Sequence, residues 1–511
     1  MKYINIKLVI SSLILAFVFG SCSEFDDINK NPNTPTNVTA EMLARSGIIN
    51  MTRKAGGDKN FTWDQMLAKY FTWTEVAEDY VFNKIGTESV NYDQIPNGRM
   101  MVEYAADIDK DAYSGLALVL QTHQIYYTTM KLGDVPYSEM GKAEEGTTKP
   151  KYDPQKDVML GLLKDLDDAH AYFTKATRKF AGDPLFGGDL TSWKKITTAL
   201  QLKILTSLSK KESDTDLNIK TRFKNAVDNM TLMTSNKDNL QLVYEDKASM
   251  YYPYSKINST QTKGPALSTT LVDTLKRYKD YRLFYYAEPA GYQIKQGLKE
   301  DDFDAYMGIN ISLKYSDQSD LMKTDKMCYI GNRYVLNNAG EPVMKLGYAE
   351  QQFILAEGAL RSWITGDPAA YYKKGIEAAM NFVASNTPAG QGYEHGRPIT
   401  QTYINDYLNQ SEIQLSGSFE DKLNKIITQK YLASFLQFHW DPYFEYRRTG
   451  YPKFPINPES SLNDSDFKNQ VPTRWRYGQT EYNTNRENLE VALERQFGGQ
   501  DNNNGVMWIL K

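Results

Sequence analysis

Apolar residues recur at three- and four-residue steps along much of the chain, the pattern of helices that each bury one face. Tyr113, Leu116, Leu120, His123, Tyr127 and Met130 form the first such stripe, and Gly133 is placed to end it. Met159, Leu162, Leu166, Ala169 and Phe173 form a second stripe; Trp193, Ile196, Leu200, Ile204 and Leu208 form a third. Leu346, Ala349, Phe353, Ala356, Leu360 and Trp363 make a fourth. Asp367 then reads as an N-cap with Pro368 at the first helical position, opening a helix striped by Tyr372, Ile376, Ala379 and Val383. Ile427, Tyr431, Phe435 and Phe438 predict a further helix. Residues 346–385 thus form two helices joined by Thr365-Gly366-Asp367-Pro368, a hairpin of tetratricopeptide size without a strict sequence period. The stretches 83–100, 133–155, 235–265, 290–345 and 386–415 read as loops, long enough to suggest function. No linker follows residue 40, so residues 41–511 are expected to form a single domain.

Composition changes this picture in one respect. Hydrophobic content of 41% and charged content of 24% are ordinary. Aromatic content is not: 36 Tyr, 21 Phe and 7 Trp mean that many rings carry a polar tip and suit wet surfaces as well as cores. The net charge of −4 and the lack of a Lys/Arg block argue against a nucleic-acid partner.

The N-terminus carries a targeting signal. Lys2 and Lys7 precede an uncharged run from Leu8 to Phe19, too short for a membrane span and proportioned like a secretory h-region. Phe19-Gly20-Ser21-Cys22 resembles a lipobox, although Phe19 departs from the usual aliphatic residue. The expectation is a lipoprotein signal peptide over 1–21, lipidation at Cys22, and a tether over 22–40 rich in Asn and Pro. Glu24, Asp26 and Asp27 resemble a surface-export signal. Lipidation of Cys22 leaves Cys328, the one other cysteine, without a partner, so packing must supply the stability that disulfides give other exported proteins.

The sequence holds no HExxH, GxSxG, CxxC or strand-linked GxGxxG motif. Gly182 to Gly188 has a GxxxxG spacing without the Lys and Ser/Thr that phosphate binding needs. His123 and His170 lie on or beside apolar stripes and read as core or boundary histidines. Asp107-Ile108-Asp109-Lys110-Asp111 starts like a calcium loop, but Ala112 and Leu118 replace the required Gly and Glu. The pairs Asp167/Asp168, Glu144/Glu145 and Asp301/Asp302 are sequence neighbours that do not face each other on a helix. No metal ligand set and no cofactor is expected, with a structural calcium left open.

Aromatic clusters are the stronger candidates for binding. Tyr70, Phe71, Trp73, Tyr80, Phe82 and Tyr92 are interleaved with Glu75, Glu78, Asp79 and Asn83; Tyr251, Tyr252 and Tyr254 flank Pro253. Ring faces take the C–H faces of sugars while polar neighbours take hydroxyls, and the same surface would hold peptide. Trp73, Asp79, Tyr80, Asn83, Tyr92, Tyr251, Tyr252 and Tyr254 are therefore the candidate ligand-binding residues, with part of the rings expected in the core.

The segment WDPYFEYRRTGYPKF, Trp440 to Phe454, is read as structural. Asp441 is placed to cap a helix starting at Pro442, and Gly450 to end it. Tyr443 and Phe444 precede Arg447 and Arg448 by four residues, within stacking reach, and Glu445 can pair with Arg448. Arg447, Arg448 and Glu445 are assigned as a fastening.

Several motifs in order resemble the SusD/RagB family, in its SusD-like lipoprotein branch. They are Asn29-Lys30-Asn31-Pro32-Asn33, Leu132-Gly133-Asp134-Val135-Pro136-Tyr137-Ser138-Glu139, and Lys151-Tyr152-Asp153-Pro154 with Asp165-Leu166. Gly188-Asp189-Leu190-Thr191-Ser192-Trp193 leads into Leu200 and Leu202; Tyr348-Ala349-Glu350 precedes Phe353-Ile354-Leu355-Ala356-Glu357. Gln429-Lys430-Tyr431, Tyr446 to Pro452, Pro472-Thr473-Arg474-Trp475 and Asn485 to Ala492 complete the set. The resemblance implies a mainly α fold of tetratricopeptide-like hairpins packed against a loop-rich ligand-binding face. It also implies a surface-exposed, lipid-anchored outer-membrane protein that binds a glycan, or in some members a peptide, without catalysis. Its implied partner is a SusC-like TonB-dependent transporter. The region it points to for the pocket is 70–92 with loops near 250–290. Two alternatives stand beside it: a helical glycoside hydrolase, which would need two opposed carboxylates, and a tetratricopeptide adaptor that binds only proteins.

Overall fold

A computed structural model of the chain describes residues 38–54, 58–73, 79–258 and 264–511. The leader, Cys22 and most of the expected tether lie outside the described residues, as do Glu75 and Glu78. The longer helices, in chain order, are α1 (Ala40–Thr52), α2 (Asp58–Leu67), α3 (Gln94–Glu103), α4 (Lys110–Leu132), α5 (Gln155–Lys175) and α6 (Leu190–Ser207). They continue with α7 (Ile219–Asn229), α8 (Tyr348–Leu360), α9 (Pro368–Ser385), α10 (Phe419–Ala433), α11 (Asp441–Thr449) and α12 (Arg486–Phe497).

The apolar stripes place these helices because each must bury its face against a neighbour. α4 packs on α3 and α5, α5 on α6, and α8 on both α9 and α10. Gly133 ends α4 at φ 94°, a conformation that costs a Cβ-bearing residue energy. The Asp367 carboxylate accepts from the Ala369 amide, with Pro368 in the first turn of α9. Asp189 caps α6 in the same way, accepting from Ser192 N.

Two expectations fail for local reasons. The stripe through Ile427 and Tyr431 does not run on as helix through Phe435 and Phe438, because α10 ends at Ala433 and the chain turns left-handed at Leu436 and Phe438. The stretch 83–100, read as loop, contains the start of α3. Pro96 lies in its first turn, where no intrahelical amide donor is needed, and Gly98 lets α4 approach: a Cβ there would sit 3.1 Å from Ala117 Cβ. A helix at Gln401–Asn409 likewise occupies part of the stretch 386–415.

The strands are short. β1 (Phe71–Thr72), β2 (Thr87–Glu88), β3 (Leu240–Leu242), β4 (Ala266–Leu267), β5 (Ala287–Glu288), β6 (Tyr329–Ile330), β7 (Val343–Leu346) and β8 (Arg476–Tyr477) form small sheets. One is four-stranded in the order β1-β4-β6-β5; β2 pairs parallel with β8 and β3 antiparallel with β7. One cluster of buried hydrophobic residues extends from Ala40 to Ile509. Cys328 is buried within it as a free thiol, its pKa pushed up to about 12 by burial.

A string of buried ions ties four helices together. Lys203 of α6 lies 2.5 Å from Asp441 of α11 and 3.1 Å from Glu350 of α8. Lys430 of α10 bridges Glu350 (3.5 Å) and Glu445 (3.1 Å). Arg448 then grips Glu445 at 2.5 Å and Glu357 through two bonds of 2.5 and 2.7 Å, while Arg361 reaches Glu357 at 2.8 Å. Four cations and four carboxylates alternate, so each buried charge has an opposite neighbour.

The arginine pair divides its work. Arg447 stacks over Tyr443 and Phe444, at 4.8 and 4.5 Å from their centroids, and donates to the carbonyls of Thr473 and Met130. Arg448 makes ion pairs and donates to Ser209 Oγ. Asp441 does not cap α11 as expected. Trp440 holds that position, and the Asp441 carboxylate turns inward to accept from Tyr127 Oη and Lys203.

Candidate functional site

The connector between α10 and α11 helps to shape an open, polar cavity. Leu436, Phe438 and His439 all have positive φ (59°, 59° and 46°), which a Cβ-bearing residue adopts at a cost of order 1–2 kcal/mol. Surrounding bonds hold the connector in that shape. Leu436 N donates to Gln65 Oε1 of α2, Gln65 Nε2 donates to Gln437 O, and Met344 N of β7 donates to Gln437 Oε1. Strain imposed so firmly tends to mark function. Its result is to leave His439 and Trp440 half-buried beside Lys345 of β7, on the wall of a cavity of about 430 Å³.

Trp440 belongs to a row of half-buried rings. Tyr80 meets it edge-to-face at 5.5 Å, and Trp63 of α2 meets Tyr80 at 5.9 Å. Trp475 backs Trp440 at 5.0 Å. The Lys131 ammonium sits 5.3 Å from the Trp440 ring and is paired with Glu88 at 2.6 Å. Amide and hydroxyl side chains of Asn91, Gln124, Thr128 and Tyr127 complete the wall. Aromatic faces beside neutral donors and acceptors are the lining a hydroxyl-rich ligand needs.

A second cavity of about 580 Å³ adjoins the first through Arg53, which lines both. Its wall includes Tyr244, Met250, Tyr251 and Pro253. Here Tyr251 is half-buried and faces the cavity, whereas Tyr252 and Tyr254 pack inside. The Tyr252 ring stands edge-on to Phe61 at 5.2 Å, and Tyr254 stacks on Phe61 at 5.9 Å.

The other residues singled out from sequence are spread more widely. Trp73 is buried, and its indole N–H finds no acceptor among the described residues. Asn83 is buried with φ 62° and donates to Ser461 Oγ. Asp79 is exposed and paired with Lys84 at 3.1 Å, by a smaller cavity that also includes Phe82 and Tyr315. Tyr92 is half-buried and donates to the Pro136 carbonyl. Tyr251 thus comes to the second cavity and Tyr80 packs behind Trp440 without lining either, while Trp73, Asn83, Tyr252 and Tyr254 turn into the packed interior. Sequence reasoning missed Trp440 and His439. Trp440 was assigned to the fastening segment, and the visible cue was a Phe-His-Trp run directly after an apolar stripe.

The cavity lining offers little to catalysis. Glu88 is the one carboxylate on it among the described residues, and Lys131 holds it. Burial pushes His123 down to about 3, so its ring is neutral at physiological pH. His439 Nδ1 lies 3.0 Å from Asp64, which also pairs with Lys54. The calcium-like run is engaged elsewhere: Asp107 with Lys110, Asp109 with Arg178, Asp111 with Lys175.

A SusD-like family described as starch-binding and associating with the outer membrane matches residues 32–478. No curated protein matches the chain. Among solved structures, a SusD homologue from Bacteroides fragilis is 44% identical, with a TM-score of 0.89 over 93% of this chain and 100% of its own. A second B. fragilis SusD homologue is 31% identical (TM-score 0.82; 93% and 100%). A chitin-binding SusD homologue from Flavobacterium johnsoniae, 21% identical, shares the fold at a TM-score of 0.70 over 92% and 98%.

Proposed function

The chain belongs to the SusD-like family, and from that membership we propose that it is a surface-exposed lipoprotein that binds an oligosaccharide and hands it, unaltered, to a SusC-like TonB-dependent transporter. One observation carries the reading at the site: the Trp440 ring, at the end of a row with Tyr80 and Trp63, lines an open cavity beside amide and hydroxyl groups and a single, already paired carboxylate. A retaining or inverting glycosidase needs two opposed carboxylates, so this lining supports capture over hydrolysis. The family description, and the chitin binding of the Flavobacterium relative, favour a saccharide over a peptide as cargo.

Capture needs only moderate strength, because the ligand must leave again. Micromolar to millimolar affinity corresponds to roughly −8 to −4 kcal/mol. Two or three ring contacts and a few hydrogen bonds supply that after the cost of ordering. Lipidation at Cys22 and the 22–40 tether would hold the protein at the membrane while leaving it free to swing over a barrel.

The test is isolation of the tagged protein from solubilised outer membranes, paired with titration of the pure protein against maltooligosaccharide, chitooligosaccharide and peptide pools. Co-isolation of a TonB-dependent barrel together with saccharide binding is the expected result. Binding of peptides alone, or absence of any barrel, would count against the reading.

A further inference from the structure

Lys345 lies in β7 with 2% of its surface exposed, yet it lines the 430 Å³ cavity. Its backbone carbonyl accepts from Lys203 Nζ at 3.3 Å, but its own ammonium makes no hydrogen bond or ion pair among the described residues. A buried ammonium without a partner destabilises the fold that holds it. Such a group belongs to a site more readily than to a core.

The surrounding charges do not remove the surplus. Asp64 of α2 faces Lys345 but is shared between Lys54 and His439. Asp441 of α11 is held by Lys203 at 2.5 Å and by Tyr127 at 2.8 Å. Glu88 of β2 is held by Lys131 at 2.6 Å. His123 of α4 is neutral and adds no charge. What is left over is the Lys345 ammonium inside and the exposed guanidinium of Arg53 at the mouth.

Resting on the saccharide-binding reading above, we infer that this cavity takes an acidic oligosaccharide, with a uronic-acid carboxylate seated on the Lys345 ammonium and Arg53 as its second contact. Trp440 then meets a ring face of the sugar. The carboxylate satisfies the buried charge that this cavity leaves open, and this separates acidic from neutral chains of the same length.

The test measures the affinity of the intact mature protein for an oligogalacturonate and for its fully methyl-esterified form, with inorganic sulfate as a free-anion probe. The acid is expected to bind at least tenfold more tightly than the ester at pH 6.5, and far more tightly than sulfate. Burial draws Lys345 down to about 7, so the acid-to-ester ratio is expected to shrink between pH 6.5 and 9, where the uronate stays ionised. In Lys345→Met the ratio is expected to fall to within about twofold of one. Where that variant does not fold, Arg53→Gln, on an exposed side chain, must also narrow the ratio. Equal binding of acid and ester, an undiminished preference in the variants, or sulfate binding as tightly as the oligomer would each overturn the inference while leaving saccharide capture intact. Failure of every saccharide, charged or neutral, would overturn both.

Discussion

Single side chains here divide into charges that are paired and charges that are not. Arg448 is buried against Glu357, Glu445 and Ser209, and removing it leaves Glu357 to Arg361 and Glu445 to Lys430 as their remaining cations. Breaking a buried pair from one side costs about 3–5 kcal/mol. A chain of this length loses about 1 °C per kcal/mol. Arg448→Ala is therefore expected to lower Tm by roughly 3–5 °C in calorimetry, with ligand affinity of the folded protein unchanged; lost affinity at unchanged Tm would reverse its assignment. Lys69 and Lys345 behave oppositely. Burial lowers both to about 7, against 10.5 for a free lysine, so the unfolded chain binds more protons between those values. Their destabilising effect is complete below pH 7 and fades as pH rises towards 10.5, by up to about 1.4 kcal/mol per pH unit for each. Lys345→Met should accordingly melt higher than the parent at pH 7, with a gap that narrows by pH 9. A constant gap would refute the assignment of its charge.

At the scale of elements, what could be read from sequence followed from burial geometry. The long helices α4, α5, α6, α8 and α9 were legible because each buries a stripe against a neighbour, and caps such as Asp367 and stops such as Gly133 announce themselves chemically. α3 was not, because Pro96 and Gly98 carry loop signals that position and close packing overrule. The end of α10 was missed because Phe435 and Phe438 keep the apolar spacing after the backbone has turned left-handed. Glycines mark where helices touch: a Cβ on Gly375 of α9 would lie 2.7–2.9 Å from the buried Phe353 ring of α8. Gly375→Ala is expected to cost about 1–3 kcal/mol through overpacking, seen as a lower denaturation midpoint, and an unchanged midpoint would mean that this contact yields easily. His439 holds φ 46° with its ring on Asp64. His439→Gly relieves the backbone but frees the connector, so saccharide affinity is expected to fall while Tm moves by less than about 2 °C; retained affinity would detach the connector from the site.

Across the whole molecule, family membership and helical architecture were legible because ordered motifs span the chain, whereas the cavity was not. It forms where α1, α3, α4, β2, β7 and the α10–α11 connector meet, bringing Arg53, Lys131, Lys345 and Trp440 together from distant parts of the sequence. No local pattern encodes that meeting, and local aromatic density points as readily to the interior packing of Tyr252 and Tyr254 as to the open wall at Trp440. The account then reduces to capture by ring faces without bond cleavage. The most direct measurement is calorimetric titration of a saccharide into the parent protein and Trp440→Ala, followed by mass analysis of the recovered ligand. Binding at micromolar to millimolar affinity, at least tenfold weaker in the variant, with the saccharide recovered at its original mass, is the predicted result. Shortened saccharide, or undiminished binding by Trp440→Ala, would contradict it.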